Sequence, residues 1–398
     1  MSVSTTRQVA PARHPVRAAI GAVTTTVVSV MPVFLVGGLA VQISKDLRLT
    51  AASLGLAMSV YFGVSAVGSL PVGGLVERFG PARAGRVAVV LSGASMLAIA
   101  FGARSLPALV LLLAAAATAN SLGQLSSNAS LAHAVPARWQ GFTFGAKQSA
   151  IPLSTLLAGA AVPTVALTLG WRWAFAIGAG LAVAALLLVP ADRPDRHAAQ
   201  ERRRAAVGTN LALLGLAAAL ASGTASALSA FLVDAAVARG RSEAAAGLLL
   251  TLGSGLCVSC RLIAGWCADR LQRGHLGLVA GSLAAAAIGV GLLAVDAPGA
   301  LLPGVLLGVG LGWCWPGLLA TAVVRLRPLT PAAATSVTQT GVYAGGSVGP
   351  LGFGLLAGHS GYSLAWTVAS MSAAAACGLV VLSAVLVRRK ADIGRQRT

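Results

Sequence analysis

The sequence predicts an all-α membrane protein: twelve transmembrane helices in two pseudo-symmetric six-helix halves. Apolar stretches of membrane-spanning length recur from end to end, cationic residues favour alternate connectors, and the second half repeats the first. Of 398 residues, 57% are apolar and only 10% charged, whereas soluble domains carry roughly 25% charged residues. Ten acidic side chains are too few for a water-facing surface, which excludes an ordinary soluble enzyme and a disordered chain. The net charge of +19 does not mark a nucleic-acid binder, because the basic residues are scattered over short connectors instead of forming one patch.

A helix crosses ~30 Å of hydrocarbon in roughly 20 residues. Stretches of that kind centre near Ser29, Phe62, Gly93, Ala117, Leu153 and Ala182, then near Ala221, Leu256, Ala287, Gly308, Gly346 and Gly378. Residues 1–17 hold Arg7, Arg13 and Arg17 without an apolar core and read as a disordered cytoplasmic tail, not a signal peptide. The expected organisation is a tail at 1–17, an N-terminal half at 18–190, a cytoplasmic linker at 191–208, a C-terminal half at 209–388 and a tail at 389–398. With both termini inside, the cytoplasmic segments hold 21 Lys and Arg and the outer connectors 6, an orientation the positive-inside rule favours for a plasma-membrane protein. Arg193, Arg196, Arg202, Arg203 and Arg204, interleaved with Asp192, Asp195 and Glu201, read as a solvated tether.

Shifting the chain by 192 residues brings Gly55 onto Gly247, Gly63 onto Gly255, Gly73 onto Gly265, Glu77 onto Asp269 and Arg78 onto Arg270; a shift of 191 brings Gln148 onto Gln339 and Gly170 onto Gly361. Duplicated halves are a common way to build a secondary transporter. After the second span the chain reads Gly73, Gly74, Leu75, Val76, Glu77, Arg78, Phe79, Gly80, continuing to Arg83, and after the eighth it reads Gly265, Trp266, Cys267, Ala268, Asp269, Arg270. These segments resemble the loop motif G-x-L-a-D-r-x-G-r-r of the major facilitator superfamily, with Glu77 in the usual place of Asp. The resemblance covers residues 18 to 388 and implies transport by alternating access. Physically, glycine lets two backbones approach, and an acid beside an arginine at a helix end can form a charge pair that breaks as the halves rock. Gly73, Glu77, Arg78, Gly265, Asp269 and Arg270 are therefore assigned to conformational change. The ladders Gly304, Gly308, Gly312 and Gly345, Gly349 read as close helix packing, with Pro350 a candidate hinge.

Amides in hydrocarbon are costly and mark a water-filled path or a tie between helices. Asn120, Gln124 and Asn128 form one stripe of the fourth span; Gln148 lies on the fifth; Gln339, Tyr343 and Ser347 form a stripe of the eleventh. None of the amides inside spans falls on the third, sixth, ninth or twelfth, which in the superfamily face lipid. Trp313 and Trp315 are candidates for the cavity wall or for packing.

Two cations, Lys147 on the fifth span and Arg261 on the eighth, sit roughly 10 Å inside the cytoplasmic face by helical rise, and no acid shares their depth. Like charges in low dielectric repel unless an anion lies between them. The run Arg261, Leu262, Ile263, Ala264, Gly265 resembles the eighth span of monocarboxylate and oxalate/formate carriers, which implies that Arg261 binds a substrate carboxylate. Where the monocarboxylate carriers place a proton-coupling acid, one turn earlier, this chain has Cys257. The structural alternatives are that Lys147 extends to the inner surface and that Arg261 bonds backbone carbonyls or helix ends.

The sequence thus points to a secondary transporter of a small carboxylate-like anion, with Arg261, Lys147, Gln148, Gln339, Tyr343, Asn120 and Gln124 as substrate contacts. The alternative is proton-coupled efflux of drugs or metabolites, which needs an intramembrane acid that the chain lacks. An enzyme is not expected, because His14, His133, His197, His275 and His359 are dispersed near span ends. Cys257 and Cys260 have C-x-x-C spacing without a neighbouring ligand along the chain, so neither a metal nor a cofactor is expected. The expected partners are a small anionic molecule and the bilayer, with no nucleic acid, and the chain acting as a monomer.

Overall fold

The computed structural model describes residues 15–49, 51–189, 208–271, 275–297 and 299–396. The N-terminal half comprises α1 (Pro15–Gly38, resumed as Ala40–Leu47), α2 (Ala51–Phe79), α3 (Pro81–Gly102), α4 (Leu106–Ala134), α5 (Ala137–Gln148, resumed as Ala150–Ala161) and α6 (Trp171–Leu188). The C-terminal half comprises α7 (Thr209–Ala238), α8 (Glu243–Arg270), α9 (His275–Ala294) and α10, which starts at Leu301–Val305 and ends with Trp315–Leu326. The final run, Pro331–Gln396, is divided at Gly361, whose φ of 81° suits only a residue without Cβ, into α11 and α12. Twelve spans result among the described residues, each enclosing one of the expected centres.

Helix replaces the expected tail from Pro15, because proline is pre-set for the first helical turn, and continues past 388 to Gln396. The linker expected at 191–208 lies outside the described residues except for Gly208, as do residues 1–14. Pro350 sits inside unbroken helix, so no hinge forms there. Besides the short interruption of α1 at Leu39, breaks fall on α5 at Ser149 and on α10, where a π-turn Leu306–Leu311 and a tight turn Gly312–Cys314 interrupt the helix and Trp313 has φ −95° and ψ 16°.

Each half buries its own core. Met96, Tyr61, Leu109 and Phe175 centre the N-terminal one; Trp315, Leu214 and Leu283, with Trp366, Phe353 and Val305 towards the opposite end, centre the C-terminal one. Glycine seams bring the helices together: a Cβ on Gly345 or Gly349 would strike α7 at Ala219 or Gly223, and one on Gly289 would strike α10 at Gly308. Large apolar side chains that face outward, among them Phe101 on α3, Leu187 on α6, Ile288 on α9 and Met371 on α12, supply a lipid-facing surface.

Even-to-odd connectors α2–α3, α4–α5, α8–α9 and α10–α11 share one end of the bundle, here termed the basic end. There the halves touch backbone to backbone: a Cβ on Gly141 or Gly145 of α5 would collide with α8 at Gly265 or Arg261, and one on Gly73 of α2 would lie 2.7 Å from Ser336 of α11. The remainder of α5, Ala150–Ala161, packs on α1 of its own half.

Candidate functional site

Lys147 is buried in α5, only 1% exposed, and does not reach for the surface. Its ammonium donates to Gln124 Oε1 at 2.5 Å and Asn128 Oδ1 at 2.8 Å, with the Gln124 backbone oxygen at 3.5 Å. The stripe on α4 therefore presents two amide oxygens, one turn apart, to a cation on the next helix. Gln124, a candidate substrate contact, has its oxygen occupied by Lys147, and Asn128 completes the cradle.

Arg261 is also buried, on α8, and it spans both helix breaks. Pro152 has no N–H, so the carbonyl of Gln148 four residues before it loses its helical partner. Arg261 Nη1 donates to that carbonyl at 2.7 Å across the interface between the halves. Its Nε donates at 3.1 Å to the carbonyl of Trp313, at the tight turn of α10, and the guanidinium carbon lies 5.7 Å from the Trp313 ring centroid. These two bonds use two of the five N–H donors of the guanidinium, and the Cys257 side chain lies beside it. The structural alternative for Arg261, a bond to backbone carbonyls at helix breaks, is what this state contains.

The cations thus flank one turn of α5, Lys147 on its α4 side and Arg261 on its α8 side. Neither forms an ion pair with a carboxylate among the described residues. Trp315 is buried in the core, whereas Trp313 contributes its carbonyl and ring. Cys257 Sγ donates to the Trp313 carbonyl at 3.7 Å, and Cys314 Sγ to Gly310 at 3.4 Å. The fold brings Cys314 beside Cys257, a neighbour 57 positions away in sequence, yet no group of metal-ligating side chains is formed among the described residues.

A second band lies further from the basic end. Tyr343 of α11 lies beside Gln339 on its own helix and Asn120 on α4, and stacks 6.4 Å from Phe62 of α2. Asn120 Nδ2 donates to Ser65 Oγ at 3.4 Å, and Ser347 Oγ donates to the Ser59 carbonyl at 3.1 Å, tying α11 to α2. The Tyr343 hydroxyl is within reach of both neighbouring amides, Gln339 and Asn120, whereas two buried acceptors, Asn120 Oδ1 and Gln148 Oε1, have no hydrogen-bond partner among the described residues.

At the basic end the two motif acids act as helix caps in trans. Glu77 Oε1 accepts from the amides of Ala332 at 2.7 Å and Ala333 at 3.3 Å, in the first turn of α11. Asp269 accepts from Gly141 at 2.6 Å and Phe142 at 2.8 Å, in the opening turns of α5. Backbone amides near a helix start favour an anion, so each acid binds the other half without needing the arginine beside it. Instead of pairing with these acids, Arg78 lies 5.4 Å from the ring centroid of Phe79, and Arg270 lies 4.1 Å from that of Trp266. The cation that does engage Asp269 is Arg325, at 3.0 Å, which also donates to the Ala137 carbonyl at 2.6 Å and contacts His275. Sequence reading missed Arg325; its place at the end of α10, opposite the motif acid of α8, was the available signal.

The Major Facilitator Superfamily family model matches residues 22–350. The chain belongs to this superfamily. It is accordingly a multi-pass membrane transporter of the secondary type and not an enzyme. No curated protein matches it in sequence. Similar solved structures include the human organic anion transporter MFSD10 (TM-score 0.72, 15% identity, covering 92% of this chain and 99% of that one). The proton:xylose symporter XylE matches at TM-score 0.73 and 16% identity over 94% and 95% of the two chains. The E. coli fucose:proton symporter FucP matches at 0.72 and 14% over 93% and 99%. At these identities the likeness concerns the fold.

Proposed function

We propose that this transporter moves a small carboxylate-like anion by alternating access, binding it at Lys147 and Arg261. The observation that carries the reading is the pair of buried cations on either side of one turn of α5, with no carboxylate partner among the described residues. Carbonyl and amide oxygens solvate these charges but do not cancel them, so the site remains positive and an anion is the ligand that lowers its energy. The guanidinium of Arg261 has more N–H donors than its two backbone carbonyls use, and these suit a carboxylate oxygen. The neighbouring structures do not choose a substrate, since they include an organic anion transporter and proton symporters of xylose and fucose. The basic end faces the cytoplasm, in keeping with the positive-inside rule, in the plasma membrane, with both termini inside and the chain a monomer. The halves at 18–190 and 209–388 are the rocking units, and Gly73, Glu77, Arg78, Gly265, Asp269 and Arg270 govern their movement.

Thermal stabilisation of the purified chain by a carboxylate panel tests this, because a ligand of the folded state raises stability by mass action. Arg261→Ala should abolish the shift and Lys147→Ala should weaken it. An unchanged shift in the double variant, or a preference for cationic ligands, would refute the anion site.

A further inference from the structure

The orphaned atoms of the second band say more about the ligand than its charge. Ser65 Oγ has one proton, which it donates to the Ala117 carbonyl at 3.3 Å, so towards Asn120 it can only accept. That fixes Nδ2 of Asn120 as the donor and leaves Oδ1 as the acceptor without a partner. Asn120 is 1% exposed and Gln148 9%, and an unmet acceptor at such burial is costly. A carboxylate brings no proton to an amide oxygen. A ligand that satisfies these atoms must donate hydrogen bonds as well as carry negative charge.

The spacing sets its length. Asn120 stands one turn, about 6 Å, beyond Gln124, which holds Lys147. Gln148 follows Lys147 directly on α5 and presents its side chain from the same turn whose carbonyl Arg261 binds. We infer that the transported anion is a polyhydroxylated carboxylate of sugar-acid type, its carboxylate at Lys147 and Arg261 and its hydroxyls donating to Gln148 Oε1 and Asn120 Oδ1, with Tyr343 closing the far end. The inference rests on the anion reading above. An ammonium group would also donate, but the two cations disfavour it.

Three probes of equal carbon number separate the two claims: gluconate carries charge and hydroxyls, hexanoate charge alone, and sorbitol hydroxyls alone. Binding of each to the purified full-length chain is measured by calorimetry. Gluconate should bind at least about tenfold tighter than hexanoate, since buried polar groups left unpaired penalise the ligand that lacks the hydroxyl. Sorbitol should bind more weakly than either. Asn120→Leu, and separately Gln148→Leu, should weaken gluconate by a larger factor than hexanoate and so reduce the preference between them. Tyr343→Phe provides a milder test should the Asn120 variant not fold. Equal binding of gluconate and hexanoate would overturn the hydroxyl inference and leave the anion reading standing. Sorbitol binding as tightly as gluconate would overturn the anion reading and leave the donor requirement. Failure of all three probes to bind, or an undiminished preference in all the variants, would overturn the proposal as stated.

Discussion

Lys147 shows what a buried charge without a counter-ion requires. Its ammonium is held by two side-chain oxygens from one stripe of α4, and each of those amides is in turn committed to the lysine. Lys147→Met should therefore destabilise the fold by more than the loss of one contact, since Gln124 and Asn128 would each retain an unmet oxygen worth about 1–3 kcal/mol. Adding Gln124→Leu to that variant should recover part of the loss. Denaturation of the single and double variants measures the coupling, and strictly additive losses would show that the cradle does not act as a unit. The stripe itself was legible, because polar residues every fourth position in an apolar run can only form a helical face. Its partner was not, because an amide facing a lysine 19 residues on and an amide facing a cavity look alike in sequence.

At the scale of helices, prolines mark the strain and Arg261 relieves it. Pro152 orphans the Gln148 carbonyl, and Arg261 satisfies it from the other half of the molecule. Pro152→Ala would return an N–H to that carbonyl within α5. Arg261→Gln should then cost about 1 kcal/mol less stability in the Pro152→Ala background than in the parent, because less is left unsatisfied. An equal cost in both backgrounds would show that the link across the interface is incidental. The twelve spans and the glycine seams were readable from length and spacing, which are local properties. The tight turn of α10 had the same cue as the break in α5, Pro316 three residues after Trp313, but the π-turn Leu306–Leu311 before it was hidden, because it falls in an apolar run with nothing local to mark it.

For the molecule as a whole, closure at the basic end depends on backbone contact and on acids that cap helices across the interface. Gly73→Leu would force α2 from Ser336 of α11, and Glu77→Ala would release the amides of Ala332 and Ala333. Both changes should reduce flux about tenfold while ligand affinity stays within about twofold, because the binding band lies elsewhere. Parallel measurement of uptake and equilibrium binding checks this, and an equal fall in both would move these residues into the site. The acids stood out in sequence as a repeated motif, but their partners are amides, which every residue type possesses. That is why they suggested an acid–arginine pair. The position of Arg261 also limits how the protein can deform. One guanidinium serves the broken turns of both α5 and α10, one helix from each half, so flexing either alters the hydrogen bonding of the other. The two broken turns therefore share one donor, and whatever withdraws that guanidinium leaves a carbonyl unmet in each half at once.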